Sequence, residues 1–288
     1  MSALTGILRR VSPGPRYAAP LILVLLLGFA APLLAVIGFS VMPSRTFGIW
    51  HTPTLANYVD IFTSTSYISF LWSLALAAVT ICILVLFCYP VALGLSRVFG
   101  KWSSLLTLLF TIPLFVSENV RLYGWVLFFI KGGVMLGTLK SVFGIEIDSW
   151  LFTRGIIVFG MVYVYLPFML FPMTLGISMV PNETREAAYD LGASRWQVFR
   201  EVDLPLSMPG IMIGVLLSFV LAVGAITESK VLGGQQVIPI THDIEIAFTY
   251  AQNWPLGAAL SVLLMFVIGV LILMVLRRFD LDAILGRR

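Results

Sequence analysis

This chain predicts an all-α membrane protein with six transmembrane helices, and three observations carry that prediction. Apolar residues fill 59% of the 288 positions and charged residues only 11%, whereas soluble domains carry about 25% charged residues. The mean hydropathy is +1.01, so lipid is the main solvent. Six apolar stretches each approach the roughly 20 residues a helix needs to cross a bilayer core.

The expected spans are 18–41, 67–95, 103–123, 155–179, 208–227 and 255–276. The first follows Arg9, Arg10 and Arg16 as a signal peptide would. Its apolar run exceeds the roughly 7–15 residues of a signal core, so a retained anchor is expected. The chain then divides into an N-terminal segment 1–17 and a first helix with its outer loop, 18–66. A five-helix core follows at 67–276, with a polar loop at 181–207, and then a tail at 277–288. Cys82 and Cys88 lie on one span, about 9 Å apart along the axis, too far for a disulfide.

An even number of spans puts both termini on one side. With that side cytoplasmic, the inner segments hold 12 of the 18 Lys and Arg residues and the outer segments 6. Basic residues concentrate on the cytoplasmic side, so both termini are expected there. Trp50, Trp125, Trp150 and Trp254 fall near outer span ends and Trp102 near an inner one, as an aromatic belt requires. The outer segment 131–152 mixes glycines with apolar residues at loose helical spacing, which suits a short helix lying on the surface.

Composition and motifs narrow the chemistry. No basic stripe with interleaved aromatics occurs, so nucleic acid is not an expected partner. The P-loop pattern G-x-x-x-x-G-K-[ST] is absent. So are H-E-x-x-H and any close Cys/His cluster with zinc spacing. His51 and His242 fall in expected outer loops, and a solvated loop residue is the plainer account of each. Neither a bound cofactor nor a catalytic step is expected of this chain.

The polar segment 181–207 is the exception in an apolar chain. Asn182 suits a helix N-cap, and Glu183 and Glu186 suit the positive end of that helix. Gly192 can take positive φ and stop it. Ser194 and Gln197 form an S-x-x-Q capping box that restarts a second short helix, and Pro205 is expected to follow its end. Ala187, Ala188 and Leu191 share one face of the first helix; Val198, Phe199 and Val202 share one of the second. One face must pack on the chain's own spans while the other is free for a partner. A helical hairpin that only connects two spans is the plain alternative. A DNA-reading pair of helices is disfavoured, because five acids against three arginines have the wrong sign for phosphate.

Residues 186–205 resemble the EAA loop of the permease subunits of bacterial ABC importers. The pattern E-A-A, three residues, G, nine residues, I or V, one residue, L-P is met by Glu186, Ala187, Ala188, Gly192, Val202, Leu204 and Pro205, with Ala193 after the glycine. The stretch RLYGWVLFFIKGGVMLGTL, the run VLGGQQ and the run NWPLGAALSV resemble segments of spermidine/putrescine-type permeases. The resemblance implies a type I importer permease of MetI-like architecture. It also implies a second, similar permease, two ATPase subunits that use ATP and Mg, and an extracytoplasmic solute-binding protein, all within membrane lipid. The implied place is a bacterial cytoplasmic (inner) membrane.

In that family the loop docks on the ATPase, which implies coupling roles for Glu186, Ala187, Ala188, Leu191, Gly192, Ala193, Phe199, Leu204 and Pro205. The implied cargo is a polyamine or a related amino-containing solute. The run before Leu232-Gly233-Gly234 is Thr227-Glu228-Ser229-Lys230-Val231, whereas those permeases usually have T-P-x-L-L-G-G; a charged Glu and Lys there leave opines, aminophosphonates and ferric iron open as cargoes. One rival is a secondary transporter or channel working without ATP, which would need carboxylates deep within spans; the other is a non-transporting membrane anchor or signalling subunit that uses the same docking loop.

Ionisable residues near spans are candidates for the solute path. Glu118 and Arg121 lie three apart, so they share a helix face and can pair. With Tyr123 and Trp125 beside them and Glu228 at the end of the fifth span, they are the expected pathway residues. A wet rim pair or a contact to the sister subunit accounts for the charged ones equally well. Tyr163, Tyr165, Pro167 and Pro172 of the fourth span can line a cavity or simply pack.

Overall fold

The computed structural model describes residues 13–48, 50–145 and 147–278. Every regular element among them is a helix. Helix α1 (Pro13–Leu25) passes through a π turn into α2 (Ala31–Ser40), and α3 (Ala56–Thr63) follows. Then come α4 (Ser66–Leu93), which ends in a π turn at Gly94–Val98, and α5 (Trp102–Thr111), which ends in a 3-10 turn at Ile112–Phe115. Next are α6 (Glu118–Phe129), α7 (Val134–Phe143), α8 (Arg154–Ser178), α9 (Asn182–Asp190) and α10 (Arg195–Val198). A π turn at Phe199–Asp203 leads into α11 (Leu204–Val223), followed by α12 (Thr227–Val231), α13 (Ile240–Thr249) and α14 (Trp254–Arg278).

Six helical segments are long and apolar enough to cross a membrane: Ala18–Ser40, Ser66–Val98, Glu118–Phe143, Arg154–Ser178, Arg195–Val223 and Trp254–Arg277. Four match the expected spans to within about three residues. The third does not. The expected span 103–123 is cut at Val116 and Ser117, both in non-helical conformations, and Trp102–Phe115 is only a short apolar helix. Pro113 starts the break: the chain tightens into a 3-10 turn around it, and Val116 N–H bonds back to the Pro113 carbonyl. Glu118 and Arg121 therefore open a new helix instead of closing an old one. The surface helix expected within 131–152 is present as α7, which Gly144 ends at φ +66.

The fifth segment also starts early. Pro205 does not end the second short helix; it is the second residue of α11, inside one continuous run from Arg195 to Val223. Proline is accommodated there because the turn before it is π-shaped, so the ordinary four-residue hydrogen-bond ladder is already interrupted. The π turn just before it already sends the Leu204 N–H back five residues, to Phe199. His242 lies on α13, not in a loop. Cys82 and Cys88 are both free thiols.

The chain forms two compact units. In the unit Met1–Ser64 with Ile244–Val267, Asn57 is fully buried on α3. It donates to the Ser40 and Met42 carbonyls at 3.2 and 2.7 Å and accepts from the Ser44 hydroxyl at 2.8 Å. Trp254 there sits edge-on to Phe39, Phe47 and Phe248.

The unit Thr65–Asp243 with Ile268–Arg288 holds the larger core. Helix α8 lies at its centre, packed along α11 and α4. Ile157, Met161, Met169, Leu170, Met173 and Ile177 of α8 are all fully buried. The closest approach is between Gly176 of α8 and Gly210 of α11. A Cβ on Gly210 would lie 2.5 Å from the Gly176 Cα and 2.5 Å from the Pro172 carbonyl oxygen. Two backbones touch there, the small-residue crossing that lets helices pack closely in lipid.

Candidate functional site

The segment after α8 folds into a bent, two-helix knuckle. Pro181, extended at φ −64 and ψ 139, takes the N-cap position, and Asn182 becomes the first helical residue. The expected Asn182 cap is not made, because its Oδ1 accepts instead from Arg97 Nη1 at 2.8 Å. Gly192 behaves as expected, at φ +84. Its N–H donates to the Tyr189 carbonyl, and the Ala193 N–H reaches the Ala188 carbonyl at 3.0 Å. That pair of bonds is a Schellman stop, and its left-handed position favours glycine. The capping box also forms: Ser194 N–H donates to Gln197 Oε1 at 2.8 Å, and Gln197 N–H donates to Ser194 Oγ at 3.3 Å.

The two faces separate as expected. Val198 is buried, and Phe199 packs edge-on against Tyr89 of α4 with centroids 5.6 Å apart. On the other side Glu186 and Ala187 are exposed, and Ala188 and Ala193 are half-buried. Leu191 is 89% exposed and Trp196 66% exposed. Leu204 is half-buried and Pro205 exposed where α11 begins. The corner thus presents a stiff, partly apolar tip.

Three charged residues that sequence reasoning missed hold the base of this knuckle. Asp203 is buried between two arginines: Arg185 Nε at 3.0 Å and Arg97 Nη2 at 3.7 Å from the same Oδ1. Arg97 also donates to the Ile177 and Val180 carbonyls at 3.1 and 3.2 Å, at the C-terminal end of α8. Cations suit that end of a helix, where carbonyls lack partners. The only hint in the sequence is a lone arginine closing an apolar run and a lone aspartate before Leu204-Pro205.

The second candidate site lies where α6, α8 and α12 meet. Glu228 is wholly buried, and neither carboxylate oxygen has a hydrogen-bond partner. Burial pushes its carboxyl up to about 7. The nearby Glu118 charge acts in the same direction, while the Tyr165 hydroxyl and Arg121 oppose it. Arg121 does not pair with Glu118. Its guanidinium lies 5.6 Å from the centre of the Tyr163 ring, with Nε and Nη1 buried and unbonded.

The fold therefore gathers Glu118, Arg121 and Glu228 into one electrostatic neighbourhood. Tyr123 and Trp125 lie on the same helix as Glu118 and Arg121. Tyr123 is 59% exposed. Trp125 is half-buried, with the rings of Phe128, Phe129, Phe159 and Tyr163 at centroid distances of 4.8–5.6 Å. Among the described residues no group of His, Cys, Asp and Glu is arranged to hold a metal.

Comparisons with known proteins agree with this architecture. The family described as "Binding-protein-dependent transport system inner membrane component" matches residues 89–280. The spermidine/putrescine transport system permease protein PotB of Haemophilus influenzae is 34% identical over 226 residues, covering 76% of this chain and 77% of that protein. PotB of Escherichia coli K12 is 32% identical over the same length, covering 76% and 80%. The inner membrane ABC transporter permease protein YdcU of Escherichia coli K12 is 30% identical over 266 residues, covering 86% and 83%. A crystal structure of a bacterial ABC transporter involved in import of the acidic polysaccharide alginate superposes with a TM-score of 0.69 at 18% identity, covering 95% of this chain and 96% of that one. That last likeness concerns the fold alone. With six apolar helices and the EAA-type knuckle, these matches place the chain: it belongs to the family of binding-protein-dependent transport system inner membrane components, as a multi-pass permease subunit of an ABC importer.

Proposed function

We propose that this chain forms half of the translocation path for a polyamine of the spermidine/putrescine type, or for a related amino-containing solute. The observation that carries the transport role is the capped knuckle at 182–205, which stands clear of the helix core with Leu191 at its tip. The cargo class rests on the two PotB relatives.

A second, similar permease completes the path, and two ATPase subunits bind below it and use ATP and Mg. A solute-binding protein delivers cargo from outside. This chain performs no covalent step. Both termini face the cytoplasm, as the 12-to-6 distribution of basic residues supports. The knuckle then faces the cytoplasm too, where ATP-driven closure of the ATPase pair pushes on Ala187, Leu191 and Gly192.

The test is uptake into proteoliposomes that hold the complete complex, with the binding protein and labelled spermidine outside and ATP inside. ATP-dependent accumulation is expected, and it should stop when the ATPase is left out. Accumulation that persists without the ATPase would support the secondary-transporter reading. ATP hydrolysis stimulated by an opine or an aminophosphonate but not by spermidine would reassign the cargo.

A further inference from the structure

We propose that Asp203, clasped by Arg97 and Arg185, is the joint through which movement of the knuckle enters the helix bundle. The inference rests on the coupling role given above and assigns it a positioning residue. Four elements end at this carboxylate. Arg97 comes from the π turn that closes α4; through its bonds to the Ile177 and Val180 carbonyls it also holds the end of α8. Arg185 comes from α9, as does Asn182, which Arg97 also binds. Asp203 itself ends the π turn that leads into α11.

The rest of the knuckle offers no second attachment of this kind. Of residues 182–206 only Val198 and Asp203 are buried. The backbone alone is a soft link, because the five residues before Leu204 form a π turn and not an α turn, and such turns often sit at functional positions. A side chain that ties the last residue of this turn to α4, α8 and α9 makes the link stiff. The side chains of Arg97, Asp203 and Arg185 are only 11%, 7% and 24% exposed. Their attraction is therefore weakly screened. Loss of the aspartate charge leaves two partly buried arginines without the anion between them.

The experiment uses the whole complex, with partner permease, ATPases and binding protein, and compares wild type with Asp203→Asn and Asp203→Glu. The reading is the number of spermidine molecules imported per ATP hydrolysed. Asp203→Asn is expected to lower that ratio about tenfold or more while the half-saturating cargo concentration stays put, and Asp203→Glu is expected to recover most of it. A merely stabilising role would reduce the yield of complex without changing the ratio. If Asp203→Asn does not assemble, the ratio is read on Arg185→Gln, which keeps a neutral Arg97–Asp203 pair, and the same fall is expected. A wild-type ratio in an assembled Asp203→Asn or Arg185→Gln complex overturns the proposal. A wild-type complex that imports nothing on ATP overturns the coupling role itself, so the two failures are distinguishable.

Discussion

Replacing Gly192 separates the shape of the knuckle from its chemistry. The residue sits at φ +84, and a Cβ built on it would meet nothing within 4 Å. Gly192→Ala therefore pays only for backbone conformation. A left-handed position costs an ordinary residue roughly 1–2 kcal/mol, so the corner loses about 5- to 30-fold in population relative to relaxed forms. Gly192→Pro is worse for three separate reasons. Its ring holds φ near −65°, far from the observed angle. It removes the N–H that bonds to the Tyr189 carbonyl at 2.9 Å. It also disfavours the helical region for the preceding residue, and Leu191 sits near there at φ −77 and ψ 4. The assay is co-purification of the ATPase together with ATP-driven spermidine uptake. The alanine variant should keep ATPase binding, with uptake reduced several-fold at most. The proline variant should lose both. A proline variant that binds the ATPase and imports like wild type would refute the argument that this corner must keep its shape.

Two further outcomes follow from packing and charge. Gly210→Ala puts a methyl 2.5 Å from the Gly176 Cα, where ordinary contact begins near 3.4 Å. The helix-propensity gain of about 1 kcal/mol is then outweighed by overpacking of about 1–3 kcal/mol. Thermal unfolding of the detergent-solubilised complex should move to lower temperature; an unchanged or higher midpoint would show that α8 and α11 can part freely. Glu228 gives a pH signature. Unfolded, its carboxyl ionises from about its ordinary value of 4.5, but in the fold only near 7, so the fold loses stability as pH rises through that window. Glu228→Gln should unfold at a higher temperature than wild type at pH 8 and at about the same temperature at pH 4.5. Parallel pH profiles for the two proteins would show that the carboxyl is not held neutral by burial.

Much of this was legible in the sequence because it depends on local rules. The apolar lengths placed four of the spans closely, and Gly192, Ser194 and Gln197 announced the corner because caps are short-range bonds. The failures have a common cause in distant or subtle partners. Asn182 looks like a cap until Arg97, 85 residues earlier, takes its side chain. Pro205 looks like a stop, yet the preceding π turn has already rearranged the hydrogen bonds around it. The break at Val116–Ser117 lies within a run that hydropathy sees as continuous, with Pro113 the one local warning. The Arg97–Asp203–Arg185 cluster joins residues that no periodicity relates.

The claim that matters most is that an outside ATPase grips the tip of this knuckle. Leu191, 89% exposed, is the place to test it. A photo-crosslinking residue at position 191, activated in the assembled complex within lipid, is expected to label the ATPase subunit and to do so differently with and without ATP. Labelling of lipid or of the solute-binding protein, with none on the ATPase, would contradict the account.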